Sequence, residues 1–535
     1  MLASTAIGAL AVAPSDDNVV YAGTGEGALS GDSYYGNGIL KSTDGGNTWA
    51  HVSGDFFAGV STARLAVDPN DSNHLYAAIE RGRGGARRVS PPIHSTYGIW
   101  ESHDGAVTWT LRMAAPSISL GATEVRLDPQ NPSTLYASFW SDKIYKSTNG
   151  GATWTPIMNG LPTDANFAAG LTRFNLALSH PAEHGAVLYA GFDWVDTANH
   201  HQAGRLFKST DGGATWVETG HGTGIDSVLG YCGTQCFYDN VIETDPTNPD
   251  VVFAAGSFGY NLHPPSGGIF RSMDGGQTWK NLGWNQHPDF HALAFDPGNT
   301  SNILVGSDGG VWYSTGRGGR NTDDAALSAV DWQNLNGTVN PNTGGVTHRT
   351  NLQIGQFTSI AVVPTTLVSP GAQTQRFWGG TQDNGTLRKS VNSQTWFDQT
   401  SGDGGQVVVD QTDPTSCPTA PGGPSFGACF VYGTYFGVQL YRMSDGGAFT
   451  FNNPPIMSGI NTGDRSEFYI PVVLNQLHTN QLFTATYRVY RTDNAKAANS
   501  FDVHFKAISP DLTSGCTGPA PNGARACVIS AIGVG

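Results

Sequence analysis

Long apolar runs are missing from this chain. No stretch of its 535 residues approaches the ~20 apolar residues with which a helix crosses a bilayer, so a membrane span is not expected. Charge is sparse as well: 13% of residues are Asp, Glu, Lys or Arg, and the formal net charge is -15. The one basic concentration is the loop Arg81 to Arg88, too little for the basic footprint that nucleic acid or an anionic membrane surface requires. No run of a dozen residues carries helical apolar spacing, which excludes a helix bundle. The Gly-x-Ser-x-Gly elbow of serine hydrolases is absent. Gly23-Thr-Gly-Glu-Gly lacks the Lys-Ser/Thr ending of a phosphate loop, and no cofactor is expected.

Cysteine is scarce too, and its six copies fall as close pairs: Cys232 with Cys236, Cys417 with Cys429, and Cys516 with Cys527. Each pair sits in a Gly/Pro/Ser-rich connection and no Cys-x2-Cys spacing occurs, so three local disulfides formed in an oxidising compartment are expected rather than a metal site. That places the protein outside the cell or on its surface. The opening Met1-Leu-Ala-Ser-Thr-Ala-Ile-Gly lacks the charged start of a signal peptide and runs straight into a repeat. A mature or trimmed fragment is expected.

Glycine is what the chain has in abundance, at 70 residues, and much of it belongs to a repeat. Ser42-Thr-Asp-Gly-Gly-Asn-Thr-Trp49 recurs from Ser102 to Trp109, Ser147 to Trp154, Ser209 to Trp216 and Ser272 to Trp279. Degenerate copies follow at Ser390 to Trp396, at Ser444-Asp-Gly-Gly and at Arg491-Thr-Asp, with one stretched unit assigned to Ser307-Asp-Gly-Gly and Asp331-Trp332. Each box is preceded by an apolar strand, an Asp-Pro turn and a second strand, as in Leu65-Ala-Val-Asp-Pro with Leu75-Tyr-Ala-Ala. One unit therefore reads as a four-stranded antiparallel meander. About nine such units, in one large ring or two packed rings, predict an all-β propeller, and Val528-Ile-Ser-Ala-Ile-Gly resembles the opening of a tenth. Residues 1–345 hold the well-formed boxes, and 346–535 continue with degenerate ones. In each hairpin the acid or amide (Asp44, Asp104, Asn149, Asp211, Asp274) is expected to accept bonds from the turn's own backbone. The Trp is expected to be buried as a plug between blades.

These boxes resemble those of sialidases, sortilin-type receptor propellers and family 74 xyloglucan hydrolases, and they specify architecture rather than activity. The Arg-Ile-Pro element that opens sialidase domains is missing. Gly31-Asp-Ser-Tyr-Tyr-Gly, Gly379-Gly-Thr-Gln-Asp-Asn-Gly385 and Gly402-Asp-Gly-Gly405 are similar to phrases of large secreted bacterial propellers in the sortilin and family 74 neighbourhood. Family 74 enzymes are inverting glycosidases with two carboxylates far apart in sequence. Tyr21-Ala-Gly-Thr-Gly-Glu26 partly matches their first motif, with Gly23 in place of Arg and the acid displaced to Glu26; Gly402-Asp403-Gly-Gly resembles the second. The resemblance thus implies Glu26 and Asp403 as a catalytic pair.

Long insertions at Arg81–Tyr97, Trp194–Gly204 and Gly220–Asp239 fall at comparable places in their units, which maps them to one face, the expected ligand face. Tyr34, Tyr35, Trp194, Phe237 and Tyr238 lie on or beside such insertions and are candidates for stacking on sugar rings. His200-His201 and His287-Pro-Asp-Phe-His291 are not expected to bind metal, because Pro288 interrupts any helix that would align the second pair. The resulting reading is a secreted propeller that binds, and through Glu26 and Asp403 hydrolyses, a polysaccharide. The rival is a non-catalytic, sortilin-like propeller that takes a protein or peptide, or a cell-surface structural module.

Overall fold

A computed structural model describes residues 6–31, 33–85, 90–92, 96–116, 120–162, 172–196, 201–220, 230–233, 235–258, 267–282, 289–318, 332–335, 338–339, 346–348, 356–363, 376–390, 396–398, 402–411, 430–443, 455–497, 499–514 and 527–534. The protein is a β-propeller. Among the described residues the only helical turns are 3-10 turns at Gly54–Phe57 and Ser500–Asp502. No described helix is long and apolar enough to cross a membrane.

The chain forms two compact units, one covering Met1–Thr338 with His348–Leu352 and the other Val339–Thr347 with Gln353–Gly535. The first holds six four-stranded antiparallel sheets in chain order, here blades 1 to 6. Blade 1 is Ile7–Ala13, Asp16–Thr24, Ile39–Ser42 and Ala50–His51; blade 6 is Phe290–Phe295, Ile303–Ser307, Gly310–Ser314 and Gln333–Asn334. The second unit holds blade 7 (from Gln356–Val363 to Phe397–Asp398), three described strands of blade 8 (Val407–Val409, Val431–Tyr435, Gln439–Met443) and blade 9 (from Val472–Leu474 to Lys506–Ala507). The chain from Cys527 on forms no described strand, but Ile529 N donates to Thr486 O in blade 9 at 2.8 Å.

A meander sends alternate connections to opposite edges. Asp-Pro turns and Asp boxes share one edge, and a recurrent bond joins them: Gly45 N to Asn18 O, Gly105 N to Asn73 O, Gly150 N to Ser133 O, Gly212 N to Ala186 O and Gly275 N to Asp250 O. Within the box the serine hydroxyl accepts from the backbone four residues on, and the acid accepts from the threonine, as with Thr48 N to Asp44 Oδ1 at 2.8 Å and Thr48 Oγ1 to Asp44 Oδ2 at 2.6 Å. Asp104, Asp211 and Asp274 repeat this, and Asn149 does so through its amide. The two box glycines sit at positive φ, 68° and 89° at Gly45 and Gly46, which explains the residue choice.

Three expectations are corrected here. The box tryptophans mostly fold over their own turns: the indoles of Trp49, Trp109, Trp154 and Trp279 donate to box carbonyls, and Trp49 is 38% exposed. Trp216, which donates to Ile157 O of the preceding blade, is buried as expected, and so is Trp332 of the stretched unit. The stretched unit has its box at Ser314 to Gly318, since Arg317 N donates to Ser301 O; Ser307-Asp-Gly-Gly is the two-residue turn of the hairpin Ile303–Ser307 with Gly310–Ser314. Trp194–Gly204 is not a simple loop, because Trp194 pairs with Ala203 and Asp196 with His201 in an extended ribbon.

The core lies between blades. Val19, Tyr21 and Ile39 of blade 1 pack with Leu65, Leu75 and Trp100 of blade 2, and the same interleaving joins blades 8 and 9 through Tyr432, Leu440, Val472 and Leu482. A tyrosine on the second strand reaches the next blade: Tyr21 to Ser72 O, Tyr136 to Gly212 O and Tyr189 to Pro249 O. Across the first unit, Glu243 of blade 5 receives Arg64 of blade 2 and Arg126 of blade 3, each at 2.7 Å, while Glu124 receives Arg126 at 3.0 Å.

Candidate functional site

The other edge carries the connections between second and third strands and between blades, so side chains at first-strand starts and second-strand ends gather there. Glu26 follows the strand Asp16–Thr24 of blade 1, and its carboxylate accepts from the hydroxyl of Tyr238, which precedes blade 5, at 3.1 Å. Two expected residues from distant segments are therefore in contact. The backbone of the Glu26 loop is fixed by Glu26 N to Tyr34 O at 2.8 Å and Tyr35 N to Arg83 O at 2.7 Å. Tyr34 lies against Gly85, where a Cβ would come within 2.1 Å of its ring, so the glycine is what admits the tyrosine. Tyr34 and Tyr35 are half-buried loop braces. The side chain of Trp194 lies outside the described residues.

Sequence reasoning missed what surrounds Tyr238. Its ring lies edge-on to His291, with centroids 4.6 Å apart, and Arg173 donates to its carbonyl at 2.6 Å. His291 Nε2 contacts Asp308 Oδ1 at 2.7 Å and Asp239 Oδ1 at 3.4 Å. Gln235 Nε2 reaches Asp239 Oδ2 at 3.1 Å, Asp289 Oδ1 at 3.1 Å and Ser257 Oγ at 3.0 Å. Burial opposes protonation of His291, but the charges of Asp308 and Glu26 outweigh it and its pKa lies above the ordinary value. Burial, and then the charges of Asp289 and Asp308, hold the carboxyl of Asp239 well above the ordinary carboxylate range. The signals were present as His-Pro-Asp-Phe-His and Ser-Asp-Gly-Gly, but the second was absorbed into the box count.

Beneath the Glu26 loop lies Glu80, fully buried at the end of strand Asp71–Arg81. It accepts from Ala28 N at 2.8 Å and from the Trp140 indole at 2.5 Å. Burial pushes its pKa up to about 7, against the pull of those two donors.

In the second unit Asp403 sits on the Gly402–Gly405 segment that leads into blade 8. It accepts from the Tyr469 hydroxyl at 2.6 Å and from Asp383 N at 3.4 Å. Around it stand aromatic side chains the sequence did not single out. Tyr435 and Phe436 lie 4.8 Å apart, Phe436 and Phe468 are stacked at 6.2 Å, and Phe468 meets Tyr469 at 4.8 Å. Phe436 is 44% exposed, so this cluster is partly open to solvent. Gly402, at φ 73°, lets the Tyr435 hydroxyl come close: a Cβ there would lie 2.3 Å from it.

The chain is similar to enzymes that cleave xyloglucan. It is 28% identical over 313 residues to xyloglucanase Xgh74A of Acetivibrio thermocellus, covering 52% of this chain and 33% of that protein. A xyloglucanase of Hypocrea jecorina is 27% identical over 314 residues, covering 53% and 33%. The chain thus spans about a third of the length of these curated relatives. Among solved structures, an ancestral GH74 enzyme matches at a TM-score of 0.54 with 16% identity, over 96% of this chain and 65% of that one, a likeness of fold. No family model matches.

On the opposite edge, His74, Glu101 and His103 have donor atoms within 4.8 Å of one another. Glu101 is already taken up by His74 at 2.9 Å, by Tyr76 at 2.5 Å and by Arg112. Burial works to raise its pKa, but these donors outweigh it and hold it at about 2. The charge is satisfied without an ion. Of the expected disulfides, Cys232–Cys236 is formed. Cys527 is disulfide-bonded as well, whereas Cys516, Cys417 and Cys429 lie outside the described residues.

Proposed function

We propose that this chain is the propeller portion of an extracellular glycoside hydrolase that acts on a xyloglucan-type β-glucan by inversion, with Glu26 and Asp403 as its two carboxylates. The observation that carries the reading is the similarity to xyloglucanases over 313 residues. The aromatic group around Asp403 supports it, since planar rings stack on the apolar faces of sugars. Inversion requires an acid and a base about 6.5–9.5 Å apart with water between them. One of the two carboxyls must then be held protonated to serve the leaving oxygen, while the other stays ionised to activate water. The loop face of each unit, including Tyr34, Tyr35, Trp194 and Tyr238 in the first, supplies the contacts to polysaccharide.

The rival, a non-catalytic propeller binding protein or peptide, draws on one feature: Gly23 and Gly25 stand where the family's first motif has an arginine and its acid. Incubation with tamarind xyloglucan and with barley β-glucan, followed by a reducing-end assay and by NMR of the first-formed anomer, separates the two. Release of α-configured ends supports inverting hydrolysis. Saturable binding to glycan or peptide arrays without release supports the rival.

A further inference from the structure

The basic loop that opens at Arg81 takes no part in the proposed hydrolysis, yet the fold gives it a defined place. Arg81 ends the second strand of blade 2, Asp71–Arg81, at the loop edge of the first unit. Two residues on, Arg83 enters a short ribbon with the segment that follows Glu26. Tyr35 N donates to Arg83 O at 2.7 Å, Gly85 N donates to Ser33 O at 2.8 Å, and Tyr34 pairs with Gly84 between them. Side chains alternate across such a ribbon, so Arg83, Tyr35 and Ser33 share one face and Tyr34 takes the other. Arg83 and Tyr35 are direct cross-strand neighbours on that face.

The charge on that face is not balanced by the protein. Arg83 is half-buried, and its Nε is sealed from solvent without an acceptor. Among the described residues neither Arg81 nor Arg83 pairs with a carboxylate. Ser33 Oγ, on the same face, is buried without a hydrogen bond as well, so it does not relieve the guanidinium. Burial and the like charge of Arg81 hold the pKa of Arg83 below its ordinary value, and Glu80 opposes them. Glu80 is a poor counter-ion: it also faces Arg173, and burial pushes its own pKa up to about 7. The other arginines of this unit give the contrast. Arg64 and Arg126 share Glu243, Arg112 has Glu101, Arg205 has Glu218, and Arg317 has Asp245. Arginine is rarely buried without such a partner, and leaving a desolvated charge unpaired is costly.

We propose that Arg83 binds the carboxylate of a uronic acid residue at the loop edge of the first unit, with the charge of Arg81 adding to its attraction. A guanidinium presents its N–H groups in a planar fork that matches a carboxylate, a match that a neutral sugar hydroxyl does not offer. Tyr35 stands next to Arg83 on the same face, so the site sets a positive charge for the carboxylate beside a ring for the sugar that carries it. The inference takes from the proposed function only that the ligand is a glycan. It adds that the glycan bears acidic units, whether or not it is cleaved. The terminal carboxylate of a peptide offers the same anion, and the glycan reading of this face favours the sugar.

The test is isothermal titration of the full chain with a tetramer of β-linked glucuronic acid, with cellotetraose as its neutral counterpart and with tetraalanine as a carboxylate-ended peptide. The expected result is saturable binding of the acidic tetramer, binding of cellotetraose weaker by about tenfold or more, and no saturable binding of tetraalanine. R83M should weaken binding of the acidic tetramer about tenfold or more. R491Q, at an exposed pair in the second unit, should leave it within twofold. Because R83M removes a charge that has no partner in the chain, its unfolding temperature without ligand should equal or exceed that of wild type, which the loss of a structural arginine would lower. The proposal is overturned if the acidic tetramer does not bind saturably, if cellotetraose binds as tightly, if R83M binds within twofold of wild type, or if R83M unfolds well below it. Saturable binding of tetraalanine without the acidic tetramer would overturn it too. No turnover is measured, so a chain that binds the acidic tetramer without cleaving any glycan supports this inference while the hydrolytic reading fails.

Discussion

At the residue scale, the buried acid Glu80 makes a prediction that does not depend on substrate. Its pKa rises from the ordinary 4.5 to about 7 in the folded chain. The folded state therefore holds a proton that the unfolded state has lost between those two values, and stability falls as pH rises through that window. At about 1.4 kcal/mol for each unit, the loss is roughly 3 kcal/mol. Urea unfolding at pH 4.5 and pH 7.5 should show this loss in wild type and a much smaller one in E80Q. Equal pH dependence in the two proteins would mean that Glu80 is not the group responsible. Trp140, whose indole donates to Glu80, gives a local fluorescence reporter for the same titration.

Candidate residues were legible at this scale only in part. Glu26 and Tyr238 could be named from loop position, but the chain cannot announce that the two touch, because 212 positions separate them. Tyr435, Phe436, Phe468 and Tyr469 escaped notice because each is an ordinary strand or loop aromatic until the fold stacks them.

At the scale of the element, the box repeat was readable because its bonds are local. Ser, Asp and Thr at fixed offsets satisfy one another within eight residues, so sequence alone specifies the turn. Ser307-Asp-Gly-Gly shows the limit: the same letters build a two-residue hairpin at the other edge, and only the bond from Arg317 N to Ser301 O identifies the true box. The two serines should therefore respond differently. Ser272 is buried and its hydroxyl accepts from Gly276 N at 2.8 Å and from Asp274 N at 3.3 Å. S272A leaves those donors unmet and should cost about 1–2 kcal/mol. Ser307, half-buried and among the described residues accepting from Gly309 N at 3.1 Å, should cost less than half of that as S307A. Chemical denaturation of the two variants tests the assignment, and an S307A penalty equal to that of S272A would speak against it. The Trp194–Gly204 ribbon was misread as a loop for the complementary reason: its pairing is set by backbone register, and its Gly, His and Asp residues carry no strand signal.

For the whole molecule, blade order was legible from the period, whereas what crosses a unit was not. Glu243 receives arginines from blades 2 and 3, and no spacing rule links residues 64, 126 and 243. E243Q leaves two arginines without their shared partner and should lower stability by roughly 2–3 kcal/mol. The hydrophobic double variant R126M/E243M should recover part of that in the same unfolding assay. A recovery of nothing would show that the unpaired Arg126 charge is not the source of the E243Q loss.

The central claim, two-carboxylate hydrolysis of a β-glucan, is tested most directly by turnover of xyloglucan in wild type, E26Q and D403N, with thermal unfolding of each as a control. The account predicts reducing-end release by wild type and a loss of about 100-fold or more in each variant, with unfolding temperatures within a few degrees of wild type. Release that persists in both variants, or its absence from wild type on every β-glucan, would contradict it.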